Sequence, residues 1–212
     1  MCGIFAFAGH DLARPDPEIL VAAAEGAARR GVHSHGWVTG DPQITAHHLA
    51  PGLLSEHLDE VKVLTSSLIL GHSRLATSGQ LDGIRAAQPL IDGGEIALAH
   101  NGTINDPAVT CANANYPLPD LQPWESDSFA LLYAYLHERM MTAPHEALGE
   151  VCDRLTSAGR PQAVVVLDSG RVYAWRMGHP LWSLPRPEGT YVASQPFHDG
   201  CTLTPERKVA WW

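Results

Sequence analysis

The chain has 212 residues, 45% hydrophobic and 17% charged, and a net charge of −9 at pH 7. This composition excludes a disordered chain and suits a single domain over residues 1–212 that buries a core without disulfides. The acidic balance argues against nucleic acid or an anionic membrane as partner, and no apolar run reaches the roughly 18–20 residues of a transmembrane helix.

The apolar run from Ile4 to Ala8, ended by Gly9-His10, predicts a buried strand directly after Cys2. Asp16-Pro17 supplies an N-cap and a first-turn proline for a helix that ends near Arg29-Arg30-Gly31. Ser67 to Gly71 and Glu95 to Ala99 predict short strands that run into polar turns. The stretches 79–88 and 107–125, rich in turn residues, predict surface loops. From Ser126 the period changes, and Phe129, Leu132, Tyr133, Leu136 and Met140 mark one face of a helix. Pro144 opens another, with Ala147, Leu148, Val151 and Leu155 inward. Ala163 to Leu167 and Val172 to Arg176 flank Asp168-Ser169-Gly170 as a hairpin, and Tyr191 to Ser194 and Val209 to Trp212 complete the strands. The order is α+β, with helices layered on antiparallel sheets.

Cys2, Cys111, Cys152 and Cys201 are widely spaced with no C-x-x-C pair, the pattern of reduced thiols in a cytoplasmic protein. No basic segment followed by an apolar stretch marks a signal peptide at the N-terminus. The twelve histidines, notably His33, His35, His47 and His48, show no metal-ligand spacing, so a metal-free chain is expected.

Chemistry gathers at four segments. Removal of Met1 leaves Cys2 with a thiol and a free α-amine, whose ordinary pKa of about 7.7–8.0 lets it act as a base. Gly71-His72-Ser73-Arg74 supplies a guanidinium able to grip a carboxylate in bidentate fashion. Asn101 and the Gly102 backbone N–H can donate to an oxyanion, and Asp127 in Ser126-Asp127-Ser128 can pair with an ammonium. A nucleophile, an oxyanion hole and an amino-acid clamp point to an amide such as glutamine. Taken singly, Asn-Gly is a common tight turn, Arg74 an ordinary ion-pair partner and Ser126-Asp127 a helix start.

Taken together and in order, these segments resemble the class II glutamine amidotransferase domains of the N-terminal-nucleophile hydrolases. Met1-Cys2-Gly3-Ile4-Phe5 is similar to their opening, and Arg30-Gly31 with Gly36 to their Arg-Gly-x-Asp loop, with His33 where an acid is common. Gly71 to Arg74 with Thr77, Ala87-Gln88-Pro89-Leu90 before Ala99 to Gly102, and Ser126 to Ser128 resemble later motifs. Arg176, Pro180-Leu181 and Val192-Ala193-Ser194 resemble the last one. Leu75 and Ser78, after Arg74, and Gln195, in the last motif, depart from the family's pattern, standing where an aromatic residue, a histidine and a glutamate are usual.

The resemblance implies a four-layer αββα sandwich, loss of Met1, and Cys2 as nucleophile with Asn101 and Gly102 as oxyanion donors. It implies Arg74, Thr77 and Asp127 as substrate-binding residues and Arg30 as support behind the nucleophile, with no cofactor. Three functions are compatible with it. The first is a glutaminase subunit that passes ammonia to a separate synthase. The second is a stand-alone hydrolase of a γ-glutamyl or related amide, and the third a non-catalytic binding or regulatory subunit.

Overall fold

The computed structural model describes residues 1–76, 84–119, 126–155 and 160–212. Strand β1 (Gly3–Gly9) leads into α1 (Pro17–Ala28), then β2 (Ser34–Gly40), β3 (Ile44–Pro51), α2 (Leu58–Lys62) and β4 (Leu68–Arg74). β5 (Leu90–Asp92), β6 (Ile96–Asn101), α3 (Pro107–Asn113), α4 (Ser128–Arg139) and α5 (Pro144–Leu155) follow. The chain finishes with β7 (Gln162–Asp168), β8 (Arg171–Met177), β9 (Trp182–Arg186), β10 (Gly189–Ala193), β11 (Thr202–Leu203) and β12 (Ala210–Trp211).

Two antiparallel sheets form, in the orders β11-β9-β10-β1-β4-β2-β3 and β12-β8-β7-β6-β5. The period-2 alternation of β1 explains how they stack. Ile4, Ala6 and Ala8 point between the sheets, where they meet Ala97, Ala99, Ala163 and Val165. Phe5 and Phe7 point the other way, against Leu20, Ala23 and Ala27 of α1. On the far side, Leu98, Val164, Val166 and Trp175 pack against Leu131, Tyr135, Leu148 and Val151 of α4 and α5. The αββα sandwich implied by the resemblance is the observed architecture.

Local signals place several elements. Asp16 Oδ1 accepts from the N–H groups of Glu18 and Ile19, with Pro17 in the first turn of α1. The 168–170 hairpin and the buried face of α5 also match the sequence reading.

Other expectations need correction. Part of the 107–125 stretch is α3, because Asp106 caps Val109 N and Pro107 sits where a missing N–H costs nothing. Residues 77–83 lie outside the described structure, but Ala86, Ala87 and Gln88 are buried rather than on the surface. In α4 the buried apolar residues are Ala130, Leu131, Leu132, Ala134 and Tyr135; Phe129 and Leu136 of the expected face are partly buried against this core, while Met140 is exposed. This helix packs on the sheet and on α5 at once, so its buried face is broad and uses alanines that a search for large apolar residues passes over. β2 is wholly buried although its sequence, SHGWVTG, shows no apolar alternation.

Candidate active site

The N-terminal end of β1 and the C-terminal ends of β4 and β10 lie together, since Gly3 pairs with Ser73 and Phe5 with Ala193. Gly3 lets α1 approach, for a Cβ there would lie 2.2 Å from the carbonyl oxygen of Ala27. Cys2 is thereby held between α1 and the turn after Arg74. Its Sγ accepts from Leu75 N at 3.2 Å, and Arg30 Nε donates to the Cys2 carbonyl at 2.6 Å. Burial pushes the Cys2 thiol above its ordinary range, while the Leu75 N–H, the terminal ammonium and Arg74 pull it down. Burial lowers Arg74, opposed by the charges of Cys2 and Asp127. Burial lowers Arg30 as well, opposed by Cys2.

Asn101 ends β6, in the second sheet. Its Nδ2 donates to Ser194 Oγ at 2.8 Å, the same oxygen that accepts Ile4 N at 2.8 Å. One buried hydroxyl thus ties the asparagine to the strand that carries the nucleophile. Gly102 adopts φ +153°, and a Cβ there would lie 1.9 Å from Gln162 Oε1, so only glycine fits the turn.

Four neutral groups fix that turn. Gln88 Oε1 accepts His100 N at 2.6 Å, which leaves Gln88 Nε2 to donate to Ser128 Oγ at 3.0 Å. The Ser128 hydroxyl then faces His100 Nδ1 at 2.9 Å. Gln162 Nε2 donates to the Thr103 carbonyl, so Gln162 Oε1 accepts from His100 Nε2. This pattern assigns His100 the Nε2–H tautomer. Burial lowers the His100 pKa, as expected for a neutral ring in that role. His72 donates through Nε2 to the His100 carbonyl at 3.2 Å, joining the two sheets, and burial brings its pKa to about 3.

Asp127 stands at the N-cap of α4 without capping it. Its Oδ2 accepts Ile104 N at 2.5 Å instead and binds the helix start to the 101–104 turn. Arg74, Leu75, Gly102, Ser126 and Asp127 line one narrow crevice with Cys2. A larger cavity of ≈ 240 Å³ shares the walls Cys2, Leu75 and Gly102 and is completed by Met1, Thr103, Arg160, Pro161 and His179.

The chain is similar in structure to a glutamine phosphoribosylpyrophosphate amidotransferase from B. subtilis, with 21% identity, TM-score 0.70 and coverage of 91% of this chain and 42% of that one. It is likewise similar to a structure described as the allosteric regulatory enzyme of purine biosynthesis, with 22% identity, TM-score 0.69 and the same two coverages. Both of these relatives are therefore more than twice as long. A predicted glutamine amidotransferase from Pseudomonas aeruginosa PA01 matches at 17% identity and TM-score 0.55 over 100% of this chain and 92% of that one. No protein-family model and no curated protein sequence matches the chain. The fold is that of the N-terminal-nucleophile hydrolases.

Within this fold, Cys2, Arg74, Gly102 and Asp127 meet at the crevice, Arg30 lies behind Cys2, and Asn101 is joined to β1 by two hydrogen bonds that share Ser194 Oγ. Thr77 lies outside the described residues. The sequence marks Gln88, Ser128 and Ser194 only as members of motifs, without their structural roles, and gives no signal for Gln162, whose partner His100 is 62 residues away. His33 belongs with them, because its Nδ1 accepts Ala76 N at 2.9 Å and pins the chain just beyond Leu75. Its position before β2, where an acid was anticipated, is the one signal that marked it.

No helix among the described residues is long and apolar enough to cross a membrane. The described residues that could hold a metal are His35, His48 and His57, none of which lines the crevice or the larger cavity.

Proposed function

We propose that this chain is a single class II glutaminase domain that hydrolyses the side-chain amide of glutamine through Cys2. The observation that carries this reading is the convergence of Cys2, Arg74, Gly102 and Asp127, from four separate segments, on one crevice. With Met1 removed, the Cys2 α-amine takes the thiol proton as Sγ attacks the amide carbonyl. Asn101, through the Nδ2 hydrogen not given to Ser194 Oγ, and the Gly102 N–H would stabilise the oxyanion, each such donor contributing roughly 2.7–4 kcal/mol. The protonated amine then gives its proton to the leaving nitrogen. Ammonia departs, a γ-glutamyl thioester remains on Cys2, and water hydrolyses it to glutamate. Arg74 would hold the α-carboxylate and Asp127 the α-ammonium, and Thr77 would contribute to substrate binding. Ammonia would pass to a separate synthase, and the reaction itself requires no cofactor.

The ≈ 240 Å³ cavity beside the crevice favours a second substrate class. It offers room for an amine larger than ammonia, as in a γ-glutamyl amide, and Met1 is one of its walls, so removal of Met1 enlarges it.

Intact mass with and without 6-diazo-5-oxo-L-norleucine, a reactive glutamine analogue, tests the reading. The expected result is loss of Met1 and a single adduct on Cys2, with none on Cys2→Ala and no glutamate formed by that variant. A chain that keeps Met1, takes no adduct and releases no glutamate overturns it. A processed chain that takes no adduct but hydrolyses a γ-glutamyl amide selects the second substrate class.

A further inference from the structure

The helix-facing side of the seven-stranded sheet carries a second constellation. His35 and Trp37 lie on the same face of β2, Trp37 pairs with His48 of β3, and His57 precedes α2. One ring nitrogen from each of His35, His48 and His57 lies within 4.8 Å of the other two. The Gly52 carbonyl can only accept, so His35 Nδ1 at 3.2 Å carries the hydrogen, and His35 Nε2 keeps its lone pair. That Nε2 belongs to a ring of 0% exposure and has no hydrogen-bond partner among the described residues. His48 Nε2 is likewise buried and unpartnered. His57 Nδ1 faces Glu60 Oε1 at 2.7 Å, which leaves its Nε2 for a ligand.

We propose that His35, His48 and His57 form a three-histidine site for a divalent transition metal, zinc(II) first among them, with water as the fourth ligand. Three imidazole nitrogens suit zinc, cobalt, nickel or copper and not a hard cation such as calcium or magnesium. The outer partners are those a histidine metal site requires: a backbone carbonyl on His35 and a carboxylate on His57, each fixing the tautomer that leaves Nε2 its lone pair for a metal. Trp37 lies flat on His48, with centroids 4.0 Å apart and planes at 12°, which holds that ring in place. Nitrogens around a tetrahedral zinc stand about 3.3 Å apart, so the three rings, now within 4.8 Å, would draw closer on binding, with half-buried His57 the freest to move. The metal would join β2, the edge strand β3 and the segment before α2. Through Gly52, whose N–H donates to the His33 carbonyl, the site lies next to the residue that pins Ala76.

The site is independent of the proposed glutaminase activity, and so is its test. Chelator-stripped protein is titrated with zinc(II) by calorimetry and with cobalt(II) by visible absorption, as wild type and as Cys2→Ala, which removes the thiol as a rival ligand. Saturable binding of one equivalent, with the d–d bands of four- or five-coordinate cobalt, is expected in both. His48→Gln and His57→Gln should each lower zinc affinity by at least about 100-fold, and Glu60→Gln by about 10–100-fold. Glu60 is on the surface, so its replacement leaves the core untouched. His47→Gln, an exposed neighbour on β3, should bind as wild type does. Absence of stoichiometric binding, or binding that survives His48→Gln, His57→Gln and Glu60→Gln alike, overturns the proposal.

Discussion

Strand β7 and helix α4 each join two polar networks of opposite character. At one end, Gln162 and Ser128 hold the Asn101-Gly102 turn through neutral groups. At the other, Asp168 Oδ2 accepts from Tyr135 and from Arg139 Nε, each at 2.6 Å, and its Oδ1 accepts from Ser169 at 2.7 Å. The Asp168 network is charged and closed. The site end keeps Asn101 Oδ1 and Ser126 Oγ buried and unpartnered among the described residues, and Ser126 lines the nucleophile's crevice. A closed network contributes to stability alone, whereas an open one keeps donors and acceptors for a substrate.

Substitutions at the two ends should therefore separate activity from stability. The largest effect is expected for Asn101→Ala, which removes an oxyanion donor and should lower kcat for glutamine about 10²–10³-fold, measured by glutamate release. An unchanged kcat would remove Asn101 from the chemistry.

Asp168→Asn should do the reverse, costing about 1.5–3 kcal/mol in urea denaturation at pH 7 with kcat/KM unchanged. Burial alone would raise the Asp168 pKa, but the hydrogen bonds from Arg139, Tyr135 and Ser169 outweigh it and hold the carboxyl below its ordinary value. A carboxyl depressed on folding contributes stability above its unfolded pKa of about 3.9 and loses that contribution as pH falls through the folded value. Wild type should thus lose stability more steeply than Asp168→Asn below about pH 4. Equal slopes would show that the ion pair adds nothing.

The smallest effect sharpens the assignment at the crevice. Asp127→Ala should raise KM for glutamine about tenfold, about 1.4 kcal/mol, with a lesser change in kcat. Loss of the Ile104 N–H acceptor adds a stability cost, which denaturation of the same variant measures. An unchanged KM would assign Asp127 to structure alone.

Much of this frame can be read from local patterns. The β1 alternation, the Asp16-Pro17 start of α1, the α5 stripe and the 168–170 hairpin are short-range features, each set by neighbours within a few residues. The ordered segments around Cys2, Arg74, Asn101 and Asp127 also mark themselves, because the chemistry they suggest needs distinctive residue types. β2 is different, since Ser34, His35 and Thr39 have no apolar period and are buried only because β4, β3 and the 53–62 segment surround them.

Residue order alone sets the inventory: a thiol at position 2, an Asn-Gly turn, an arginine and an aspartate in a recognisable order, and elements enough for two sheets with helices. Which polar groups meet is a property of the packed molecule. Gln88, His100, Ser128 and Gln162 are up to 74 residues apart in the chain and become one network only when β6, β7 and α4 stack. His35, His48 and His57 share no ligand spacing and converge because β2 and β3 pair and the following turn folds over them. Side-chain direction in a strand is set by local period, but partners across strands are set by register and sheet stacking, and those follow from burial of the whole core.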